Sequence, residues 1–440
     1  MNQQNSQIAD QTTFRHYLFF LMGQLISLLG SSVVNFALIW WITIESQSAT
    51  IVSLTFTLAL IPQIIVTLFA GVYIDRLDRK KIILLTDFGQ AFFTFLLFLL
   101  FMFNFQSVWL VITLIIIRNL FQSVHRPTVG AIIPVMIPKE KLSRMNSINM
   151  IASRAIFIIG PVISGILIGF LEISKILWID IGTFLVAVIP TLLITIPSIL
   201  KKSSQSESET GTTSKPKAEK PRFRQEMKEG YRAIVAVRGM GAFFLCAIIG
   251  NFLLNPSFVL QSYFVGIYHE GNAQILSYLS AWASIAAIIG GFLMTLRKKW
   301  KHKSTIIIIV GFLFGIGALI SALASKGSFV LLGLGYCIVS FGMPISNSLY
   351  LTILQEKIPL DKQGRVNAID IALSFSIMPI SSFLAGPLAE TIGIQLLFTI
   401  LSITIIVNSL IFTLFSDMRY LGKAETFEIV ESKEAENANE

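Results

Sequence analysis

Long apolar runs alternate with short polar breaks along most of this chain. Runs dominated by apolar residues fall near positions 17–43, 50–73, 82–103, 108–134, 146–170, 174–197, 240–265, 273–296, 304–325, 328–354, 366–389 and 393–416. A helix rises 1.5 Å per residue, so about 20 residues cross the hydrocarbon of a bilayer. Every run meets that length, and the pattern predicts twelve membrane-spanning helices with no strand. The polar leader, residues 1–13, lacks a positively charged n-region and a small-residue cleavage site, so the first span is expected to be retained.

One interruption is different in kind. Residues 201–222, KKSSQSESETGTTSKPKAEKPR, hold no large apolar side chain and cannot bury enough surface to order themselves. They read as a cytoplasmic linker. After it, Met227, Tyr231, Ile234 and Val235 recur at helical spacing among charges, which predicts a short amphipathic helix lying on the membrane surface. The expected organisation is a leader (1–16), a six-helix bundle (17–200), a linker with its amphipathic helix (201–239), a second six-helix bundle (240–416) and an acidic cytoplasmic tail (417–440).

Composition and charge agree with that reading. Hydrophobic residues make up 54% of the chain and charged ones only 13%, against about 25% charged in soluble domains. Of the 34 Lys and Arg, twelve spans with both termini inside put Lys175 and Lys326 outside and Arg118, Arg126 and Arg154 within spans. All others face the cytoplasm, as the positive-inside rule requires. One missed span would invert every later loop. The net charge of +9 therefore follows from topology; it calls for no nucleic acid, and the basic face attracts anionic lipid.

The two halves repeat each other. Gly30 and Asn35 match Gly250 and Asn255 at an offset of 220; Gly71, Arg79 and Lys81 match Gly291, Lys299 and Lys301 at the same offset. Pro138, Arg144 and Asn146 match Pro359, Arg365 and Asn367 at 221. Three matches in order argue for a six-plus-six duplication. Asp75, Arg76 and Arg118 correspond to Thr295, Leu296 and Val339, so those charges belong to the first half alone.

The break between the second and third spans reads Gly71-Val72-Tyr73-Ile74-Asp75-Arg76-Leu77-Asp78-Arg79-Lys80-Lys81. The pattern G-x-x-x-D-R-x-x-R-K resembles the signature loop of the major facilitator superfamily, with Asp78 where the family often has glycine. The resemblance runs over nearly the whole chain, through Gly23-Gln24-x-x-Ser27, His125-x-Pro127 and Gln355-Glu356-Lys357-Ile358, and is similar to the macrolide-efflux branch of the drug/proton antiporters. It implies two parallel six-helix repeats around a central cavity. By the same resemblance, Gly71, Asp75, Arg76, Arg79 and Lys80 form a cytoplasmic gate. Asp75 would face the start of helix 11, and Arg79 with its neighbours the end of helix 4. Gly160, Pro161 and Gly165 in span 5 resemble an antiporter motif, although small residues at this spacing also serve tight helix packing.

Ionisable residues inside spans are costly, at about 2.5–3.5 kcal/mol on insertion scales. Arg118 is a candidate for proton coupling or for a structural pair, and Asp87 for a proton site or a buried pair with Arg154. Asp180 reads as a satisfied polar residue. His125 and Arg126, just before Pro127, could touch substrate or cap a helix break. Spans 1, 4, 7 and 10 usually line the cavity of this fold, which would offer Gln24, Ser27, Asn35, Asn119, Gln122, Arg126, Asn251, Asn255, Gln261, Tyr336 and Asn347. Amides and aromatics suit an amphiphilic small molecule better than a sugar or phosphate.

No nucleotide-binding loop, HExxH or Cys/His cluster is present. The chain is therefore expected to be no enzyme, to hold no metal or cofactor, and to draw on an ion gradient. The expected function is proton-coupled efflux of amphiphilic drugs such as macrolides, by a monomer in the bacterial cytoplasmic membrane with both termini inside. The alternatives are an exporter or flippase of an endogenous lipid-like or siderophore molecule, and a non-transporting sensor or assembly protein on a transporter fold.

Overall fold

The computed structural model describes residues 11–74, 77–194, 223–297 and 299–422. Its helices are α1 (Gln11–Ser46), α2 (Ala49–Ile74), α3 (Arg79–Met102), α4 (Val108–Met136), α5 (Lys139–Ile168), α6 (Ile173–Leu193), α7 (Phe223–Ala236) and α8 (Met240–Val259). After a short turn come α9 (Ala273–Thr295), α10 (Lys303–Ala322), α11 (Phe329–Lys357), α12 (Leu360–Ile392) and α13 (Ile394–Phe415). All but α7 are long and apolar enough to cross a membrane, twelve in number among the described residues. This is a multi-pass, all-α membrane protein. Exposed Leu85, Phe88, Phe92 and Phe95 form one stripe along α3, at the three- and four-residue steps of one helix face. In a bilayer such a stripe faces lipid.

The chain divides into two compact units. The first comprises residues 1–47, 55–214 and 272–277; the second comprises 48–54, 215–271 and 278–440. In the first unit α1 packs on α5 and α6, and α3 on α4 and α6. Glycines make the close approaches possible: a Cβ on Gly160 would strike Ser32 of α1, and one on Gly165 would strike Ser277 and the Ala273 carbonyl. Ser164 adds a hydrogen bond to the Val33 carbonyl, 2.7 Å. The two glycines that resemble part of an antiporter motif, Gly160 and Gly165, thus sit at a tight packing seam.

Asp78 explains its own departure from the family pattern. Its side chain caps α3, accepting from the backbone N–H of Lys80 at 3.0 Å, a hydrogen bond that glycine lacks and that is worth a few tenths of a kcal/mol relative to glycine at this position.

In the second unit α7 lies against α12. Glu229 pairs with Arg365 at 2.6 Å, Gly230 sits beneath Arg365 and Ile369, and Ala233 and Ile234 join a core with Val366, Ile369 and Met418. Of the stripe Met227, Tyr231, Ile234 and Val235, Ile234 is buried and Met227 partly buried in this contact, while Tyr231 and Val235 stay exposed. Gly239 then turns the chain at φ 82°, with the Asp417 carbonyl where a Cβ would go.

Beyond α8, residues Phe264–Tyr268 form a π-helical turn, with the His269 N–H bonded to the Phe264 carbonyl at 3.0 Å. Such turns are frequent at functional sites. It leads to buried His269, packed among Phe264, Tyr268 and Phe329.

Candidate functional site

Three helices of the first unit each carry a polar stripe at helical spacing. On α1 it is Gln24, Ser27 and Ser31; on α3, Asp87, Gln90 and Thr94; on α4, Arg118, Gln122 and His125. Steps of three, four and seven residues align side chains on one helix face, and the stripes meet around a cavity of about 400 Å³. Gln24, Gln90, Gln122, His125 and Arg126 line it, with Leu25, Leu28, Phe157 and Phe184 as apolar wall. The Arg126 guanidinium lies over the Phe157 ring, 5.8 Å from its centroid.

Two carboxylates divide the charge. Asp180 on α6, 4% exposed, is fully engaged: Arg118 Nη2 donates to Oδ2 at 2.7 Å, Thr94 donates to the same oxygen at 2.9 Å, and Ser31 donates to Oδ1 at 2.8 Å. The buried Arg118 Nε is left without a partner. Asp87 on α3, 3% exposed, is held more loosely. Gln24 Nε2 donates to it over 3.4 Å, and His125 Nε2 lies 3.0 Å from Oδ1 but is not aligned as a hydrogen bond. Arg154, considered above as a partner for Asp87, is exposed on α5. Asp180 is the satisfied polar residue expected from the sequence, and His125, expected to touch substrate or cap a helix break, lines the cavity beside Asp87. Helical spacing holds the signal for His125, seven residues and nearly two turns after Arg118.

The inner loop is partly described. Asp75 and Arg76 lie outside the described residues, and Gly71 closes the last turn of α2. Arg79 donates to the Ala131 carbonyl in the last turns of α4, 2.8 Å. Lys80 donates to the carbonyls of Leu192 and Ile194 at 2.8 and 2.7 Å. Carbonyls in the last turn of a helix lack intrahelical partners and carry partial negative charge, so Lys80 caps α6.

The remaining candidates separate. Asn35 and Asn251 are exposed. Asn255 is buried and donates to Ser382 of α12 at 2.8 Å. Gln261 lines a second cavity, of about 260 Å³, within the second unit.

A pair absent from the sequence reading lies on α11 and α12. Tyr350 donates to Asp370 Oδ1 at 2.6 Å, with Phe243 stacked on the phenol at 4.9 Å between centroids. The repeat offset of 221 maps Asp370 onto Asn149, whose amide bonds the Tyr17 hydroxyl at 2.5 Å. The equivalent polar side chains each bond a phenol, an amide in the first half and a carboxylate in the second, although the phenols come from different helices, Tyr17 of α1 and Tyr350 of α11. Among the described residues no group of three or more His, Cys, Asp or Glu could hold a metal.

Comparison with known proteins adds identity to this geometry. The family description of the Major Facilitator Superfamily matches residues 20–382. Macrolide efflux protein A of Streptococcus pyogenes is 24% identical over 91% of this chain and 95% of its own length. Multidrug efflux pump Tap of Mycolicibacterium fortuitum is 20% identical over 92% and 97%. The crystal structure of the nucleoside transporter NupG superposes with a TM-score of 0.67 at 13% identity, covering 93% of this chain and all of that one. At such identity the likeness concerns the fold.

Proposed function

Because the chain belongs to the major facilitator superfamily, whose members move small molecules across bilayers, we propose that it is a proton-coupled exporter of amphiphilic organic compounds. One observation carries the reading: a loosely held, buried carboxylate, Asp87, borders a cavity whose walls are largely apolar. An ionised group at such depth is expensive and functional by default. Ionised, Asp87 holds His125 and Gln24 close; once protonated, it loses the charge that keeps the imidazole near, and the polar wall of the cavity can rearrange. A proton and a bound ligand therefore compete for one arrangement of α1, α3 and α4. The Arg118–Asp180 pair supplies a fixed frame behind it. The efflux functions named for the two relatives add support for outward movement of bulky compounds.

In this reading the protein works as a monomer in a bacterial cytoplasmic membrane with both termini inside, Asp75 and Arg76 forming its cytoplasmic latch. The test is accumulation of macrolides and amphiphilic dyes in pump-deficient cells, with and without a protonophore. Expression should lower accumulation, the protonophore should restore it, and Asp87→Asn should do the same without loss of protein from the membrane. Unchanged accumulation across the panel overturns the proposal.

A further inference from the structure

The equivalence of Asn149 and Asp370 across the repeat separates a structural task from a chemical one. In the first unit an amide binds a phenol at 2.5 Å, so holding a tyrosine from this position needs no charge. In the second unit the position carries a carboxylate, which accepts from the Tyr350 hydroxyl at 2.6 Å. That carboxylate is half-buried and stands in the eleventh membrane span, Leu360–Ile392, where a neutral side chain would cost far less. Its surroundings offer no counter-charge. Helix α8 brings Phe243 and Phe244 against the Tyr350 ring, and its thiol, Cys246, contacts Asn408 of α13; neither helix carries a charged residue. From α7, Glu229 is taken by Arg365, five positions before Asp370. Glu356 of α11 pairs with Lys303 of α10, and Asp417, beyond α13, pairs with Arg238. Among the described residues no cation pairs with Asp370, and Tyr350 is the titratable group in contact with it.

We propose that Asp370 is a second proton-binding site, with Tyr350 as the partner that holds it in place, so that each unit binds one exchangeable proton: Asp87 in the first and Asp370 in the second. The inference rests on the proton-coupled reading above and fixes how many protons the cycle uses. The phenol serves both states of the acid. It donates to the ionised carboxylate; once a proton adds to the other oxygen, Oδ2, the carboxyl group can donate in turn and the phenol oxygen accept. The pair therefore stays together through protonation, and the change registers as the loss of one negative charge rather than as a repacking of α11 on α12. An amide at the equivalent position of the first half keeps the hydrogen bond and gives up the proton. Exchange of two protons for one monovalent cation moves one net charge across the bilayer, whereas exchange of one proton moves none.

Infrared difference spectroscopy of the full chain in phosphatidylcholine nanodiscs, stepped from about pH 8 to 5, reads the site directly. Wild type should gain a protonated-carboxyl C=O signal that Asp370→Asn lacks and Asp370→Glu keeps, and Tyr350→Phe should shift its frequency. Asp370→Asn gives the second unit the amide that the first already has, so it should remain folded. Monovalent cationic dyes such as ethidium supply the second arm, in proteoliposomes with a fixed pH gradient. For wild type, an imposed potential of about 60 mV should change the steady dye gradient about tenfold; Asp370→Asn should stay within about twofold. If Asp370→Asn shows the wild-type infrared titration, the carboxylate stays ionised and the inference falls. If wild type holds a pH-driven dye gradient that ignores voltage, one proton suffices: the inference falls and the exporter reading stands. If the carboxyl signal appears and no dye gradient forms, the proton site stands and the exporter reading falls.

Discussion

Replacing Asp180 by leucine is the sharpest test of how the first unit is held together. The carboxylate accepts from Arg118, Thr94 and Ser31, each within 2.9 Å, and both ions of the pair are more than nine-tenths buried. Removing one partner of such a pair leaves an uncompensated charge and costs about 3–5 kcal/mol. Thr94 has a fallback, since its hydroxyl also lies 3.0 Å from the Gln90 carbonyl. The stranded guanidinium therefore sets the magnitude. Arg118→Met should cost a similar amount by stranding the carboxylate. The double variant, Arg118→Met with Asp180→Leu, fills the space with apolar atoms, and such replacements are often neutral or stabilising. It should recover to within about 1–2 kcal/mol of wild type, giving a coupling energy of several kcal/mol. Unfolding in mixed micelles, followed by circular dichroism against denaturing detergent, supplies the free energies. Single losses below about 1 kcal/mol, or a double variant as poor as the sum of the singles, would refute the reasoning. Dye efflux on the same proteins then separates frame from mechanism: a stable double variant that no longer transports assigns Arg118 a role beyond its pairing.

Three further outcomes follow from named contacts. Gly165→Ala places a methyl against the Ala273 carbonyl and Ser277; overpacking against backbone costs about 1–3 kcal/mol, read as a lower thermal midpoint, whereas Gly182→Ala, open on that side, should leave the midpoint unchanged. Lys80→Met uncaps α6 and should cost about 1–2 kcal/mol, measured as faster exchange of amides near Leu193. His269 is held below the ordinary imidazole range, chiefly by burial and next by the Lys326 cation, with a backbone contact to Ser325 opposing. The unfolded chain therefore binds its proton first as pH falls, so stability is full above about 6.5 and declines below it; His269→Phe should flatten that decline in melting curves taken from pH 7.5 to 5.

The membrane spans were legible because each needs only a local run of apolar residues. Side-chain partners were not. Arg118 and Asp180 stand 62 positions apart, and hydropathy carries no information on which buried acid meets which buried base. Asp87 was matched to Arg154 by depth alone. Depth ignores azimuth, and α5 turns Arg154 outward while α4 turns His125 inward. The amphipathic α7 shows another limit, since the spacing of Met227, Tyr231, Ile234 and Val235 does not say that Ile234 is buried while Tyr231 and Val235 stay exposed. Only the complementary surface, with Arg365 and Ile369 of α12, decides. Asp370 was in reach: applying the repeat offset to Asn149 would have flagged a carboxylate where the first half has an amide.

Each unit also draws a short piece of chain from the other half of the sequence. Ser277 and Gln274 fill the notches left by Gly165 and Gly169 in the first unit. The hydroxyls of Ser48 and Thr50 bind Glu390 in the second, at 2.6 and 2.7 Å. For biogenesis this means that the first six spans leave the ribosome unfinished. The side chains that pack on Gly165 and Gly169 belong to residues made about a hundred positions later, Ser277 and Gln274. Insertion of the early spans and completion of their fold are therefore separate events in the life of this protein.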